Sequence, residues 1–178
     1  TALLAQRGYQ DGEDELAFFA QALTDELPAP VLPDGYHFLD VMRPELAAPR
    51  AAVHFDAFTP SKMTTEAYAN FMTAPHYDPA LDVVVVGPDG QFVAFAMAWA
   101  DAETGIGYFE PVGTRRDCQR RGLGRAALAE GMRRLRARGM KLATVFCVAH
   151  NTGNLVFYQA AGFKRVNTVR RYTKGGNT

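Results

Sequence analysis

"CQRRGLGRAAL", residues 118–128, sets three arginines around two glycines at the point where the chain turns into a helix. A helix N-terminus carries unsatisfied N–H groups and the positive end of the helix dipole, so it attracts phosphate. Gly122 and Gly124 remove side chains that would keep a ligand from the backbone, and the arginines add charge-assisted hydrogen bonds. The stretch therefore reads as a phosphate corner. What surrounds it decides which kind.

Three phosphate-binding patterns compete. A Walker loop needs Lys-Ser or Lys-Thr after its glycines, and none follows here. Gly122, Gly124 and Ala127 formally satisfy the dinucleotide fingerprint G-x-G-x-x-A. That motif must directly follow a first strand and be followed about 20 residues later by an acid. Here polar residues 115–121 intervene, and Glu130 is the last acid in the chain. The surviving pattern is Q-x-x-G-x-G, met by Gln119, Gly122 and Gly124.

The flanking sequence supplies the frame. "LPAPVLPDG" (27–35) is a linker by its prolines and glycine, and "YHFLDVM" (36–42) alternates like a strand. Residues 46–58 and 64–73 are expected as helices, with Thr64 or Thr65 capping the second. "LDVVVV", "QFVAFAMAWA" and "IGYFEPVGT" form a meander joined by the turns "GPDG" and "DAETG". In the helix after the corner, Leu128, Met132 and Leu135 share one face, and Gly139 is placed to end it. "KLATVFCVA" is apolar on both faces, as a central strand should be. A helix opened by Asn151 and a last strand over 163–174 complete a β-α-α-β-β-β-α-β-α-β order.

The hexapeptide in this setting resembles the acyl-coenzyme A signature of the GNAT superfamily of N-acetyltransferases. A second stretch, "NTGNLVFYQAAGF" (151–163), is similar to that family's N-x-x-x-x-x-x-Y-x-x-x-GF segment. The resemblance covers roughly residues 34–174. It implies an α/β fold, a mixed central sheet with splayed strands flanked by helices, and acetyl-CoA as co-substrate without a metal. It places the coenzyme pyrophosphate on the loop of Gln119, Arg120, Arg121, Gly122, Leu123, Gly124 and Arg125. It also implies that the main chain of Val112, Gly113 and Thr114 meets the pantetheine arm, one N–H polarising the thioester carbonyl as an oxyanion hole does. Tyr158 falls on the family's general acid. Asn151 and Asn154 fall where side chains reach the pantetheine amides, although helix capping alone explains Asn151.

The base is read from position. Glu110 stands two residues before Val112, so plain alternation puts it on the face of Val112 and Thr114, partly desolvated and raised in pKa. Pro111 follows it, and a bulge there would re-aim it. His37, His54, His76 and His150 show no spacing that argues for catalysis, and His150 is kept only for its neighbour Asn151. The expected reaction is acetyl transfer from acetyl-CoA to the primary amine of a small molecule or peptide, by direct attack in a ternary complex. A non-catalytic acyl-CoA sensor or scaffold is the alternative.

Composition bounds the partners. The 178 residues are 48% apolar, enough for a real core, without the run of about 18 that a membrane span needs. Cys118 and Cys147 are too few for a disulfide framework and lack zinc-ligand spacing, so a reduced, cytoplasmic setting is the default. Residues 1–114 carry 17 Asp and Glu against 4 Lys and Arg, while residues 115–178 carry 15 basic residues against Asp117 and Glu130. This split suits an anion on one face, or simple neutralisation across the fold. The arginine helix lacks interleaved aromatics and the total charge is zero, which argues against nucleic acid. A homodimer is left open.

Residues 1–27 fall outside this frame. Gly8-Tyr9 can be laid on Gly162-Phe163, giving helix end, glycine, aromatic and strand a second time, with Leu4 in the place of Tyr158. This stretch is expected as the remnant of a preceding GNAT-like domain, in a tandem organisation like that of mycothiol synthases. The linker at 28–35 and the acetyltransferase domain at 36–178 follow it. A strand without its own sheet is expected to pair with an available edge.

Overall fold

A computed structural model describes residues 2–40 and 42–174, apart from the side chains of Glu13 and Asp14. In chain order the elements are α1 (Ala2–Gln6), β1 (Tyr9–Ala22), β2 (His37–Phe38), α2 (Ala47–Ala57), α3 (Thr65–Phe71), β3 (Asp82–Val86), β4 (Phe92–Asp101), β5 (Ile106–Thr114), α4 (Leu123–Ala137), β6 (Leu142–Val148), α5 (Thr152–Ala160) and β7 (Lys164–Lys174). From residue 36 onward this is the order expected from the sequence. The chain divides into two compact units, residues 22–144 and residues 1–21 with 145–178. Among the described residues no helix is long and apolar enough to cross a membrane.

The 22–144 unit is built on an antiparallel meander of β2, β3, β4 and β5. The first strand is shorter than its alternation suggests. Only His37 and Phe38 pair with Val86 and Val85, and Leu39 adds one N–H to the Val84 carbonyl at 2.9 Å. Residue 41, also expected in that strand, lies outside the described residues, and a 3-10 turn at Pro44–Leu46 leads into α2. Thr64 caps α3, its hydroxyl accepting from the Ala67 N–H at 3.1 Å. Every residue of β3 is buried, and Val84 and Val86 pack with Met42, Val53, Phe92 and Phe95.

The helices sandwich this meander. Phe95 on β4 meets His54 and Phe58, which puts α2 on the face of Phe95, Met97 and Trp99. The opposite face takes α4, where Leu135 lies against Gly107 and Phe109 against Gly131. Leu128, Met132 and Leu135 are buried as their spacing requires, and Gly139 (φ 84°) follows the helix end. Arg134, also on α4, donates to the carbonyls of Leu39 (3.1 Å), Asp40 (3.0 Å) and Ala80 (2.9 Å). It joins the helix to the segment leaving β2 and the one entering β3.

In the other unit β1 pairs antiparallel with β7, from Tyr9 opposite Lys174 to Ala20 opposite Lys164. A strand is therefore present at the N-terminus, paired with β7. The helix–glycine–strand sequence occurs twice: α1, Gly8 (φ 77°) and β1, then α5, Gly162 (φ 95°) and β7. Ala17 and Phe19 of β1 are fully buried, and Phe18 stacks on Phe146 at 4.5 Å.

Candidate active site

The phosphate corner begins where β5 ends. Arg115 bonds its N–H to the Val93 carbonyl at 2.8 Å, so alternation assigns Gly113, opposite Phe95, to the β4 ladder. The main-chain groups of Val112 and Thr114 then face the strand's other edge. The Thr114 carbonyl confirms that direction by accepting from the Gln119 side chain at 3.3 Å. Gly113 has a different duty: a Cβ there would sit 2.5 Å from the Phe95 ring and 3.0 Å from Ala57 Cβ. Any side chain would push α2 off the sheet.

A 3-10 turn at Arg116–Cys118 carries the chain to Gln119. Arg120 then takes φ 60° and Gly122 φ 82°, two left-handed residues within three. A left-handed arginine costs roughly 1–3 kcal/mol and persists where the surrounding structure enforces it. Such alternation turns successive N–H groups toward one side and makes an anion-binding concavity. Gly122 is the N-cap of α4, with no side-chain cap and no acid in the first turn. The first intrahelical bond runs from the Ala126 N–H to the Gly122 carbonyl at 2.9 Å, leaving the N–H groups of Leu123, Gly124 and Arg125 ahead of it without intrahelical acceptors. This cradle fits a pyrophosphate.

The arginines divide into two groups. Arg115 chelates Asp117 (2.7 and 3.1 Å), and Arg116 donates to the Thr59 carbonyl at 3.0 Å. Arg121 reaches the Asp117 carbonyl at 3.1 Å and the Tyr36 hydroxyl at 3.4 Å. Among the described residues no side-chain hydrogen bond or ion pair ties down Arg120 or Arg125, and both are exposed. On α4, Arg133 and Arg134 both bind Glu130 at 2.7 Å and Arg136 pairs with Asp25, and Arg138 at its C-cap pairs with Asp78 at 2.6 Å. Neutralisation thus accounts for the helix arginines. The corner arginines 120 and 125 remain available to an anion.

Glu110 departs from the alternation expected of it. Between the pairs Phe109–Ala98 and Val112–Ala96, β5 holds two residues, Glu110 and Pro111, against the single Met97 of β4. This bulge turns Glu110 away from the face of Val112 and Thr114 and onto that of Tyr108, Trp99 and α2. The Tyr108 hydroxyl donates to its carboxylate, and the Trp99 indole N–H donates to its carbonyl at 3.1 Å. The side chain is exposed, where partial desolvation was expected.

The bulge opens onto a cavity of about 170 Å3 lined by His54, Met63, Tyr68, Phe71, Met97, Glu110 and Pro111. His54 is half-buried, its Nδ1 lying 3.2 Å from the Ser61 hydroxyl. Burial, then the nearby Arg50 charge, hold its pKa below the ordinary histidine value.

In the other unit, Tyr158 of α5 is buried, its ring 5.9 Å from Phe19 and 6.0 Å from Phe163. Asn151 caps α5, its side-chain oxygen accepting from the Asn154 N–H at 3.1 Å. Asn151, Asn154 and His150 are exposed. Cys118 and Cys147 are both buried and unpaired, and burial raises both thiol pKa values.

The sequence profile of the Acetyltransferase (GNAT) family matches residues 49–163, from α2 to the end of the second motif. The chain belongs to that family. Mycothiol acetyltransferase of Streptomyces avermitilis is 28% identical over 151 residues, covering 83% of this chain and 49% of the relative. The chain spans about half the length of the curated relatives it matches. Among solved structures, a GCN5-related N-acetyltransferase from Sphaerobacter thermophilus shares the fold with a TM-score of 0.81 at 24% identity, over 96% of this chain and 54% of that one. A tandem GNAT protein from the clavulanic acid pathway gives a TM-score of 0.74 at 14% identity, over 99% and 59%.

For this GNAT chain, sequence reading reached the phosphate corner and Glu110 but not the cavity that Glu110 lines. His54, Met63, Tyr68, Phe71 and Met97 come from α2, the α2–α3 loop, α3 and β4. No local spacing joins them. The one available signal was the proline after Glu110, which marked the bulge.

Proposed function

We propose that this chain is the acetyl-transferring part of an acetyl-CoA-dependent N-acetyltransferase acting on a primary amine. The observation that carries the reading is the uncapped, left-handed entry to α4, joined by a short turn to a strand end whose peptide groups face outward. The N–H groups of residues 122–125 would hold the pyrophosphate, with Arg120 and Arg125 adding charge. An N–H from Val112 or Thr114 would bind the thioester oxygen, which becomes negative as the amine attacks. Bound acetyl-CoA supplies the activated acetyl group.

The proposed chemistry is one displacement. The neutral amine nitrogen forms a bond to the carbonyl carbon, the C–S bond breaks, and one N–H proton leaves. Glu110, on the cavity lining, is proposed to take that proton directly or through water. The role proposed for Tyr158 is to give the departing thiolate its proton. Asn151 and Asn154 are proposed to hydrogen-bond the pantetheine amides.

Calorimetry with acetyl-CoA, followed by thiol release with a panel of amines, amino acids and amino sugars, tests the reading. The acceptor of the curated relatives, which their name ties to mycothiol, belongs in that panel. Binding with amine-dependent thiol release is the expected result. Binding without turnover across the panel would replace the enzyme by a sensor, and no binding would remove both.

A further inference from the structure

The cavity beside Glu110 has a chemistry of its own. Met63, Phe71, Met97 and Pro111 give it carbon and sulfur walls. Tyr68 adds only its ring, because its hydroxyl is committed to the buried Asp82 carboxylate. Two polar residues remain on the lining, Glu110 and His54. We propose that this cavity receives the body of the acceptor, and that the acceptor is a primary amine on a compact apolar skeleton, an arylalkyl or branched alkyl amine, with its nitrogen at Glu110. The assignment rests on the acetyltransferase reading above.

Size, polarity and charge support it together. An apolar cavity of about 150 Å3 is known to hold benzene, so the 170 Å3 here takes a single ring or a short branched chain. A polyhydroxylated amine would lose water from each hydroxyl and find few partners on these walls, which a site without matching donors and acceptors penalises. The bulge puts Glu110 on the lining, and its negative charge attracts an ammonium from water before deprotonation. Phe71 and Tyr68 put two aromatic rings on the lining, and an ammonium near an aromatic face gains cation–π attraction.

The groups facing His54 do not oppose this. Arg50 lies behind it on α2, paired with Asp82, and Tyr68 and Glu110 face it from α3 and β5. Burial and the Arg50 charge favour a neutral imidazole, so the ammonium meets one negative group and no cation on the lining itself.

The test uses the chain as it is, labelled with 13C at the methionine methyls. On adding phenethylamine at millimolar concentration, the Met63 and Met97 signals shift while those of Met132 and Met140 on the α4 side stay put. In thiol-release assays phenethylamine and isoamylamine give a kcat/KM about tenfold or more above that of glucosamine. Met63→Ser, in the loop between α2 and α3, lowers the phenethylamine value about tenfold, and Met63→Leu keeps it near the parent. Absent methyl shifts, or equal or better turnover of glucosamine, would overturn the proposal while leaving acetyl transfer standing. Failure to bind acetyl-CoA removes the enzyme reading instead, and the methyl shifts then judge the cavity alone.

Discussion

Asp82 at the start of β3 holds Arg50 of α2 in an ion pair of 3.0 Å with both side chains wholly buried. The second carboxylate oxygen accepts from the hydroxyls of Tyr68 and Tyr77. Burial raises both phenols well above their ordinary pKa, so they remain donors. The terminal nitrogens of Arg50 have no hydrogen-bond partner among the described residues, and the guanidinium instead lies 3.8 Å from the Phe95 ring centroid. Arg50 therefore depends on one carboxylate and two aromatic faces.

Removing that carboxylate should leave a buried, uncompensated cation. Asp82→Asn is expected to cost about 3–5 kcal/mol of stability, measured by urea unfolding. Adding Arg50→Met should recover much of the loss, because it removes the stranded charge. A loss near zero in the single variant would show that water reaches this pair.

Two groups contribute to the acid response. For His54 the folded pKa lies below the ordinary 6.5, so the unfolded chain takes up a proton first and stability falls as pH drops below that value. For Glu130 burial pushes the pKa up, but hydrogen bonds from Arg133 and Arg134 outweigh it and hold it below the ordinary 4.5. Its contribution is present above that value and is lost as pH falls through the folded pKa. Thermal melts along a pH series should show Tm falling below 6.5 and further below 4.5. His54→Gln should flatten the first stage and Glu130→Gln the second; an unaltered profile in either variant counts against that assignment.

The phosphate corner gives a binding test. Gly124 is the second residue of α4, buried in its first turn, beside the N–H groups that have no cap. Gly124→Val should abolish acetyl-CoA binding in calorimetry while circular dichroism and Tm stay close to the parent. Retained affinity in the folded variant would move the pyrophosphate elsewhere.

The corner was legible in the sequence because its chemistry is local. Gln119, Gly122 and Gly124 lie within six residues, and their backbone roles follow from residue type. The meander and α4 were legible for the same reason: Gly90 (φ 77°), Gly105 (φ 70°) and Gly139 punctuate periodic apolar runs. Glu110 was misplaced because alternation assumes an unbroken ladder, and one extra residue on β5 reverses a face. The cavity was invisible because its walls come from segments as far apart as residues 54 and 111. The buried Arg50 could not be anticipated either, since nothing local distinguishes it from a solvated helix arginine.

The proton steps are the last claim to test. Tyr158 sits in an aromatic cluster with Phe19, Phe157 and Phe163, so a phenylalanine keeps the packing and removes only the hydroxyl. Tyr158→Phe should lower kcat about 10²-fold, the lower end for general acid help, with acetyl-CoA affinity nearly unchanged. Glu110→Gln keeps the shape of the bulge and the Tyr108 contact but removes the charge. It should flatten the acidic limb of the kcat/KM pH profile and raise KM for the amine, since the same carboxylate draws the ammonium in and takes its proton. The two variants separate the roles: a Tyr158→Phe enzyme with parental turnover loses the acid, whereas an unchanged acidic limb in Glu110→Gln loses the base. Should KM alone respond in Glu110→Gln, the carboxylate holds the amine and the proton goes directly to water.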